Sequence, residues 1–318
     1  MGNHPFLKYA NGYLDTVRGY LADETVKCLA RRFNRMDRDV ERLVSEGLIK
    51  TASPAKWSMN DMLAYVNYRY SLNLSLAEVK HDLGALKKVM IEAGSYKVFT
   101  EVLSKHPNIS PKHYKKRLPP IGDAEYETFK TGMTVIDEKD YLELRRYLVM
   151  SLSVFCGLRS KELRLASIDD IIIEKDGARR FNVVHVKGER TYGESRVVPI
   201  PEVLHHLFDT YLDARRAYLG EENAKNKYLF PSRTSSKGHL ASNTIRSDVS
   251  KVAKQLGVGF NLRDGRRTFG QRYLDKDLAI EKLSVLMGHS STKTTELFYS
   301  RTKNSVAVDA AEELENVW

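Results

Sequence analysis

Residues 168–200 read IDDIIIEKDGARRFNVVHVKGERTYGESRVVPI, and this stretch decides the fold class of the chain. β-Branched residues are frequent in segments 168–174, 181–187 and 196–200, and glycine-containing segments separate the three. Short segments of this kind, bounded by turn residues, are typical of antiparallel strands. We therefore predict a small antiparallel β-sheet here.

The rest of the chain has the apolar spacing of helices. In the predicted helix 24–48, the apolar residues Val26, Leu29 and Phe33 recur at intervals of three and four, with Asp23 as a plausible N-cap. The same spacing predicts helices at 24–48, 60–70, 75–93, 98–105, 138–155, 202–219, 243–255, 265–274, 279–287, 292–300 and 305–318. The predicted fold class is mainly α with a small antiparallel β-sheet.

A basic, proline-rich segment divides the chain. Residues 111–124 read PKHYKKRLPPIGDA, a composition typical of a linker. We predict an all-helical domain at 1–110, this linker, and an α+β domain at 125–318. The linker cations are Lys112, Lys115, Lys116 and Arg117. They suit contact with a phosphate backbone, although an exposed tether would look the same.

The positive charge of the protein is concentrated in its first third. The 318 residues include 51 Lys or Arg and 41 Asp or Glu, for a net charge of +10. The first 117 residues hold 20 of the former and 12 of the latter. Such an excess favours a polyanionic partner, and a merely solvated surface is the alternative. Arg31 and Arg35, on the predicted helix 24–48, are candidate DNA contacts.

Composition excludes several classes of protein. Two cysteines, Cys28 and Cys156, cannot form a disulfide-rich or cysteine-rich zinc fold. The longest apolar run, 147–158, is too short to cross a bilayer, and the N-terminus lacks the pattern of a signal peptide. Asp169 and Asp170 have no clearly placed third carboxylate, so we predict no metal and no cofactor. A cytoplasmic protein is expected.

Four clusters carry residues suited to phosphate chemistry. They are CGLRSKEL at 156–163, HVKG at 185–188, NLRDGRRTF at 261–269 and LMGHSSTKTTELFY at 286–299. Three arginines at a helix start repel one another, and a bound phosphate would relieve that repulsion. The other clusters offer an arginine at a helix junction, a hairpin lysine, and a histidine followed by a tyrosine.

In this order and spacing, the clusters resemble the signature of the tyrosine recombinases, the phage integrase and Xer-type enzymes. The resemblance covers about residues 125–300. It implies a helical core-binding domain that clamps DNA at 1–110 and a catalytic domain at 125–318. The implied activity is site-specific recombination, in which DNA strands are cleaved and rejoined through a 3′-phosphotyrosine without a metal.

The resemblance also implies roles for particular residues. The implied catalytic set is Arg159, Lys187, Arg263, Arg266, His289 and Tyr299, with Glu162 in support. Arg159 and Arg266 clamp the scissile phosphate, and Glu162 orients Arg159. Lys187 protonates the departing 5′ oxygen. His289 donates a hydrogen bond to the phosphate or assists proton transfer, and Tyr299 is the nucleophile.

Two positions depart from the family pattern. Arg263 stands where the family often has histidine, and integrases of some archaeal viruses are similar in placing another basic residue there. The titratable group that would share a base role is therefore absent from that position. The usual interval from the histidine to the tyrosine is nine residues and leads here to Phe298, whereas Tyr299 is ten away. The tyrosine helix is then rotated or shifted, or the tyrosine comes from a neighbouring subunit.

The expected partner is double-stranded DNA. The resemblance implies a homotetramer on synapsed sites, a monomer or dimer off DNA, and association with the nucleoid. The tail 305–318 carries an apolar stripe that suits docking on the next protomer, or packing on its own core. Integration, excision and dimer resolution remain open. The alternatives are a type IB-like topoisomerase and a non-catalytic DNA-binding regulator that uses helices 24–48 and 243–255.

Overall fold

The computed structural model describes residues 4–110, 118–189 and 193–299, with only the backbone for 297–299. The chain divides into two compact units, Met1–Lys116 and Arg117–Trp318. The predicted linker residues 111–117 and the predicted tail helix 305–318 lie outside the described residues. The two units are described separately below.

The N-terminal unit is helical throughout its described part. Its helices are α1 Pro5–Val17, α2 Asp23–Ser45, α3 Met59–Ser71, α4 Leu76–Glu92 and α5 Tyr96–Lys105. Helix α1 is absent from the sequence prediction, yet Phe6, Ala10 and Leu14 follow a four-residue spacing and are buried. Asp23 is the first residue of α2, and Ala22 is its N-cap, so the expected Asp23 cap is wrong.

A buried ion-pair network joins α2, α3 and α4. Asp82 is fully buried and accepts hydrogen bonds from Arg69 at 2.5 Å, from Arg35 at 2.5 Å, and from Arg32. Arg69 also donates to Asp39 at 2.7 Å. One buried carboxylate thus holds three helices together through three guanidinium groups.

A second polar contact packs the start of α1 on α2. The Nδ1 atom of His4 lies 2.9 Å from Asp37 and 2.6 Å from Glu41. Burial and the neighbouring Glu41 raise the pKa of Asp37, while His4 opposes that shift. One side-chain nitrogen or oxygen atom from each of these three residues lies within 4.8 Å of the other two.

The C-terminal unit combines helices with a three-stranded sheet. Its elements are α6 Asp123–Met133, α7 Tyr141–Cys156, α8 Ser160–Leu165, β1 Ile171–Ile173, β2 Arg179–Val183, β3 Arg196–Ile200, α9 His205–Leu219, α10 Ser242–Leu256, α11 Leu262–Leu274, α12 Ile280–Met287 and α13 Thr292–Tyr299. The predicted fold class, mainly α with a small antiparallel sheet, is confirmed. Helix α6 was not predicted, because its start falls inside the predicted linker.

The sheet has the order β1-β2-β3, and both pairs are antiparallel. Phe181 pairs with Ile171 on one side and Val198 on the other, and the side chains of Phe181 and Val198 are buried. The predicted segment 168–174 begins too early, since Ser167 caps a 3₁₀ turn at Ile168–Asp170. Strand β2 ends at Val183 rather than 187, so Lys187 lies in the β2–β3 connection.

Helix α7 runs through the core of this unit. Most of its residues from 144 to 156 are buried, and α11 packs closely against it. A Cβ at Gly265 of α11 would lie 3.0 Å from Ser153 Oγ, and Ser153 donates to the carbonyl of Leu262 at 2.8 Å. This close approach brings the next residue, Arg266, to the C-terminal end of α7.

Candidate active site

A glycine turn after α7 places Arg159. Gly157 ends the helix with φ +66°, and a Cβ there would lie 2.6 Å from the ring of Phe269, so only glycine fits. Arg159 becomes the N-cap of α8. Its guanidinium donates to Glu162 at 2.8 Å and to the carbonyl of Gly288 at 3.1 Å. Glu162 and the carbonyl of Gly288 therefore hold the Arg159 guanidinium in place.

Glu162 is a buried carboxylate at the centre of several arginines. It is 2% exposed and accepts hydrogen bonds from Arg159 and from Arg196, the latter at 3.1 and 2.8 Å. Arg266 lies 4.0 Å away. Burial alone would raise the pKa of Glu162, but Arg196, Arg266 and Arg159 together lower it to about 2. The group is therefore charged at neutral pH.

Arg196 is a site residue that the sequence analysis missed. It is 6% exposed, and besides its two bonds to Glu162 it donates from Nε to the carbonyl of Leu286 at 2.7 Å. A Cβ at Gly288 would come within 2.9 Å of its guanidinium. The available signal was its place in β3, where alternate residues point inward. A charged residue at an inward position indicates a buried partner.

Arg266 and His289 meet beside this network. Arg266 is 8% exposed and donates to the carbonyls of Gly157 and Met287. Its guanidinium lies 3.4 Å from Nε2 of His289, whose Nδ1 lies 2.8 Å from Thr295 Oγ1. Since a guanidinium can only donate, Nε2 is the acceptor, and the neutral ring carries its proton on Nδ1.

Burial and the neighbouring arginines keep the imidazole of His289 uncharged. Burial first, and then Arg266, Arg159 and Arg196, lower the pKa of His289 to about 3, and Glu162 opposes that shift only in part. His289 is therefore neutral at physiological pH. An anion bound beside the arginines would offset their effect and raise this pKa.

A basic cleft opens onto these side chains. Its volume is about 1070 Å³. Seven of the residues lining it are basic: Arg159, Lys161, Lys187, Arg246, Lys254, Arg263 and Arg266. None of its lining residues, in the described part of the chain, is acidic. Such a surface attracts a polyanion. Within it, hydrogen bonds to backbone carbonyls hold Arg159 and Arg266.

The three arginines that open α11 have different environments. Arg263 is exposed and lines the cleft. Arg266 points into the network described above. Arg267 donates to the carbonyl of Pro119 at 2.9 Å and pairs with Asp264. A bound phosphate is therefore not required to explain all three, because Arg267 already has an acidic partner.

The remaining predicted residues are dispersed. Tyr299 ends α13, and its side chain lies outside the described part, as do Lys112, Lys115, Lys116 and Arg117. Arg35 is held by Glu78 and Asp82. Arg31 is largely exposed, 3.7 Å from Glu24. Asp169 pairs with Lys227 at 2.7 Å, and Asp170 accepts from the backbone of Ser167 at 2.8 Å, so both acids have structural partners.

The mainly helical fold and its basic cleft define a domain suited to bind a polyanion, and the comparison of sequences identifies its family. The chain belongs to the phage integrase family, whose model matches residues 128–305. Within the described residues, none of the helices has the length and apolar character that a membrane span requires.

Individual relatives agree with this assignment. Tyrosine recombinase XerA of Pyrococcus horikoshii is 27% identical over 179 residues, which are 55% of this chain and 57% of the relative. The match thus spans little more than half of that protein. Tyrosine recombinase XerC of Oceanobacillus iheyensis is 23% identical over 300 residues, 92% of each chain.

Solved structures show the same fold. The Tn1549 transposon integrase in complex with transposon right end DNA has a TM-score of 0.67 and 18% identity, over 96% of this chain and 99% of the integrase. The XerH site-specific recombinase bound to difH substrate has a TM-score of 0.65 and 18% identity, over 98% and 97%. The fold of the chain is therefore that of the tyrosine recombinases.

Proposed function

We propose that the protein is a site-specific DNA recombinase that cleaves and rejoins DNA strands through a 3′-phosphotyrosine. The observation that carries the proposal is that Arg159 and Arg266 line the same cleft. Among its described lining residues, seven are basic and none is acidic. Family membership and relatives named tyrosine recombinase support it.

The two arginines would bind the scissile phosphate. A phosphodiester carries a negative charge that repels nucleophiles, and more charge develops on its non-bridging oxygens in the transition state. Guanidiniums placed beforehand stabilise that charge without reorganisation. In this protein Glu162 and the carbonyls of Gly157, Met287 and Gly288 hold both arginines in place.

Tyr299 would be the nucleophile and Lys187 the general acid. The phenol oxygen forms a bond to phosphorus while the bond to the 5′ oxygen breaks, and the phenol proton passes to the neutral His289 ring or to water. The departing oxygen takes up a proton from the Lys187 ammonium. The 3′-phosphotyrosine keeps the energy of the phosphoester, so a second 5′-hydroxyl can reverse the step on a new strand.

His289 would be neutral in the free protein and would act once a phosphate is bound. Its Nε2 accepts from Arg266 in the free protein, so this nitrogen must gain a proton before it can donate to a phosphate. Binding of the phosphate raises the pKa of the ring and favours that gain. Arg263, exposed on the cleft wall, would add positive charge where the family often has a titratable histidine.

Assembly and cellular role form the finer part of the proposal. We expect a homotetramer on two synapsed DNA sites, a monomer or dimer off DNA, and location at the nucleoid. Arg31, Arg35 and the linker cations at 112–117 would contact DNA. Because Arg35 is paired with Glu78 and Asp82, we expect it to contribute less than Arg31.

A covalent trap tests the proposal. The protein is first used to select bound fragments from the genomic segment that encodes it, and the recovered site is rebuilt as a nicked duplex. Wild-type protein should form a protease-sensitive adduct with this DNA. Tyr299→Phe should form none, whereas the control Tyr273→Phe should form as much as wild type.

The outcomes separate the alternatives. An adduct in Tyr299→Phe would overturn the choice of nucleophile, and no adduct with wild type would leave only a DNA-binding regulator. Relaxation of supercoiled DNA without exchange between two site-bearing duplexes would favour the topoisomerase alternative. Exchange between those duplexes is the expected result.

A further inference from the structure

A lysine two residues after Arg159 contacts the chain on both sides of Lys187. The Nζ atom of Lys161, on α8, donates to the carbonyl of Val186 at 3.2 Å and to the Glu189 carboxylate at 2.7 Å. These acceptors belong to the residue before Lys187 and to the second residue after it. Lys161 thereby connects the Arg159 segment to the β2–β3 connection.

Two further contacts fix the backbone at Lys187. The side chain of Val186 is buried, and the N–H of Gly193 donates to the carbonyl of Gly188 at 2.8 Å. A Cβ at Gly193 would lie 2.3 Å from the carbonyl oxygen of Lys187, so any larger residue would displace that backbone. Lys187 itself is exposed and lines the cleft.

The Lys161–Glu189 ion pair adds little to the stability of the protein, which favours another role for it. The side chains are 45% and 37% exposed, and exposed ion pairs stabilise proteins only weakly. Nδ1 of His185 also lies 3.7 Å from the Glu189 carboxylate. The contacts with Lys161 and His185 lower the pKa of Glu189, so the carboxylate is charged and able to accept from Lys161.

We propose that Lys161 and Glu189 are positioning residues for Lys187. A general acid must come within hydrogen-bond distance of the oxygen that it protonates, and a lysine on a long stem can miss it when its backbone moves. Lys161 sets the distance between the arginine that binds the phosphate and the lysine that protonates the leaving group. This inference rests on the proposed function of the site.

A change of leaving atom isolates that role. With oxygen at the bridging 5′ position, the broken P–O bond leaves its electron pair on the oxygen, which takes the Lys187 proton. With sulfur there, the P–S bond breaks to a thiolate. A thiol has a pKa of about 8.5, so a thiolate leaves readily without a proton. Substrates that differ in this atom therefore report on proton delivery alone.

Single-turnover cleavage of the paired oxygen and sulfur substrates provides the test. Lys187→Met should be slow on oxygen and close to wild type on sulfur. Lys161→Met and Glu189→Gln should cleave the oxygen substrate about two- to fivefold more slowly, in line with the loss of one partly exposed charged contact. Both should match wild type on sulfur, and Lys161→Arg should recover most of the rate.

A matched control removes the same charge elsewhere. Lys254→Met takes a positive charge from the same cleft but lies on α10. It should weaken DNA binding and leave the oxygen-to-sulfur rate ratio unchanged. Urea unfolding of Lys161→Met should match wild type, which excludes a general loss of structure.

The possible failures are distinguishable. If Lys161→Met is equally slow on both substrates, or is not slow on either, the positioning role is wrong. If Lys187→Met is itself equally slow on both, the assignment of Lys187 as general acid in the proposed function fails instead.

Discussion

Replacement of Glu162 by glutamine keeps the shape of the side chain and removes its charge from among three guanidinium groups. The surrounding arginines hold the pKa of Glu162 at about 2, against an ordinary value of 4.5. Each tenfold change in proton affinity is worth about 1.4 kcal/mol, so the folded protein favours the charged form by about 3 kcal/mol. We expect Glu162→Gln to lower the free energy of unfolding of the C-terminal unit by about that amount. Loss of one partner of a buried ion pair has a similar typical cost, about 3–5 kcal/mol.

Urea unfolding followed by circular dichroism measures this loss, and hydrogen exchange at the amides of α7 and β3 assigns it to the C-terminal unit. In a separate thermal unfolding experiment, the midpoint temperature should fall by about 6–12 °C, given about 2–4 °C per kcal/mol in a unit of this size. Asp209→Asn is the matched control, because Asp209 accepts two bonds from Arg179 but is 55% exposed. It should cost less than about 1 kcal/mol. A loss from Glu162→Gln no larger than that of the control would refute the reasoning.

Three other perturbations have defined outcomes. Gly157→Ala forces a left-handed residue against the ring of Phe269 and should destabilise the protein by about 2–4 kcal/mol in urea unfolding; an unchanged midpoint would contradict the tight approach. Asp82→Ala leaves three arginines without their shared acceptor and should lower the free energy of unfolding by about 3–5 kcal/mol in the same assay. Hydrogen exchange should become faster only in the N-terminal helices. Because the pKa values of His289 and Glu162 are both below their ordinary values, the unfolded chain binds these protons more readily. Stability should therefore fall as the pH drops from about 6.5 for His289 and from about 4.5 for Glu162, and His289→Gln should flatten the curve between those values.

Local sequence patterns were sufficient for much of the fold. Apolar spacing located most helices, and β-branched segments located the sheet, because both features depend on neighbours in sequence. The predicted boundaries were wrong where a capping side chain sets the first residue of a helix. Ser167 turns 168–170 into a 3₁₀ helix before β1, and Asp140 accepts from the first backbone N–H groups of α7, so that helix begins at Tyr141.

Tertiary partners were beyond the reach of those patterns. Arg196 and Glu162 are 34 positions apart, and Arg32 and Asp82 are 50 apart, so no local spacing marks either pair. By resemblance, the motifs placed Arg159 and Arg266 near a phosphate and Glu162 beside Arg159, but they did not reveal that Arg196 and Arg266 also approach this carboxylate. That sharing depends on the α7–α11 packing and on strand β3, which no local spacing indicates.

Because the Glu162 carboxylate pairs with arginines from several chain segments, it also restricts which substitutions this sequence can accept during evolution. Glu162 balances Arg159 from its own helix junction, Arg196 from β3 and Arg266 from α11. A change at one of these positions alters the charge that the others experience, so related sequences should keep or replace them together. Arg263 lies exposed on the cleft wall of the described structure. That position can exchange one basic side chain for another during evolution, since no buried partner has to change with it.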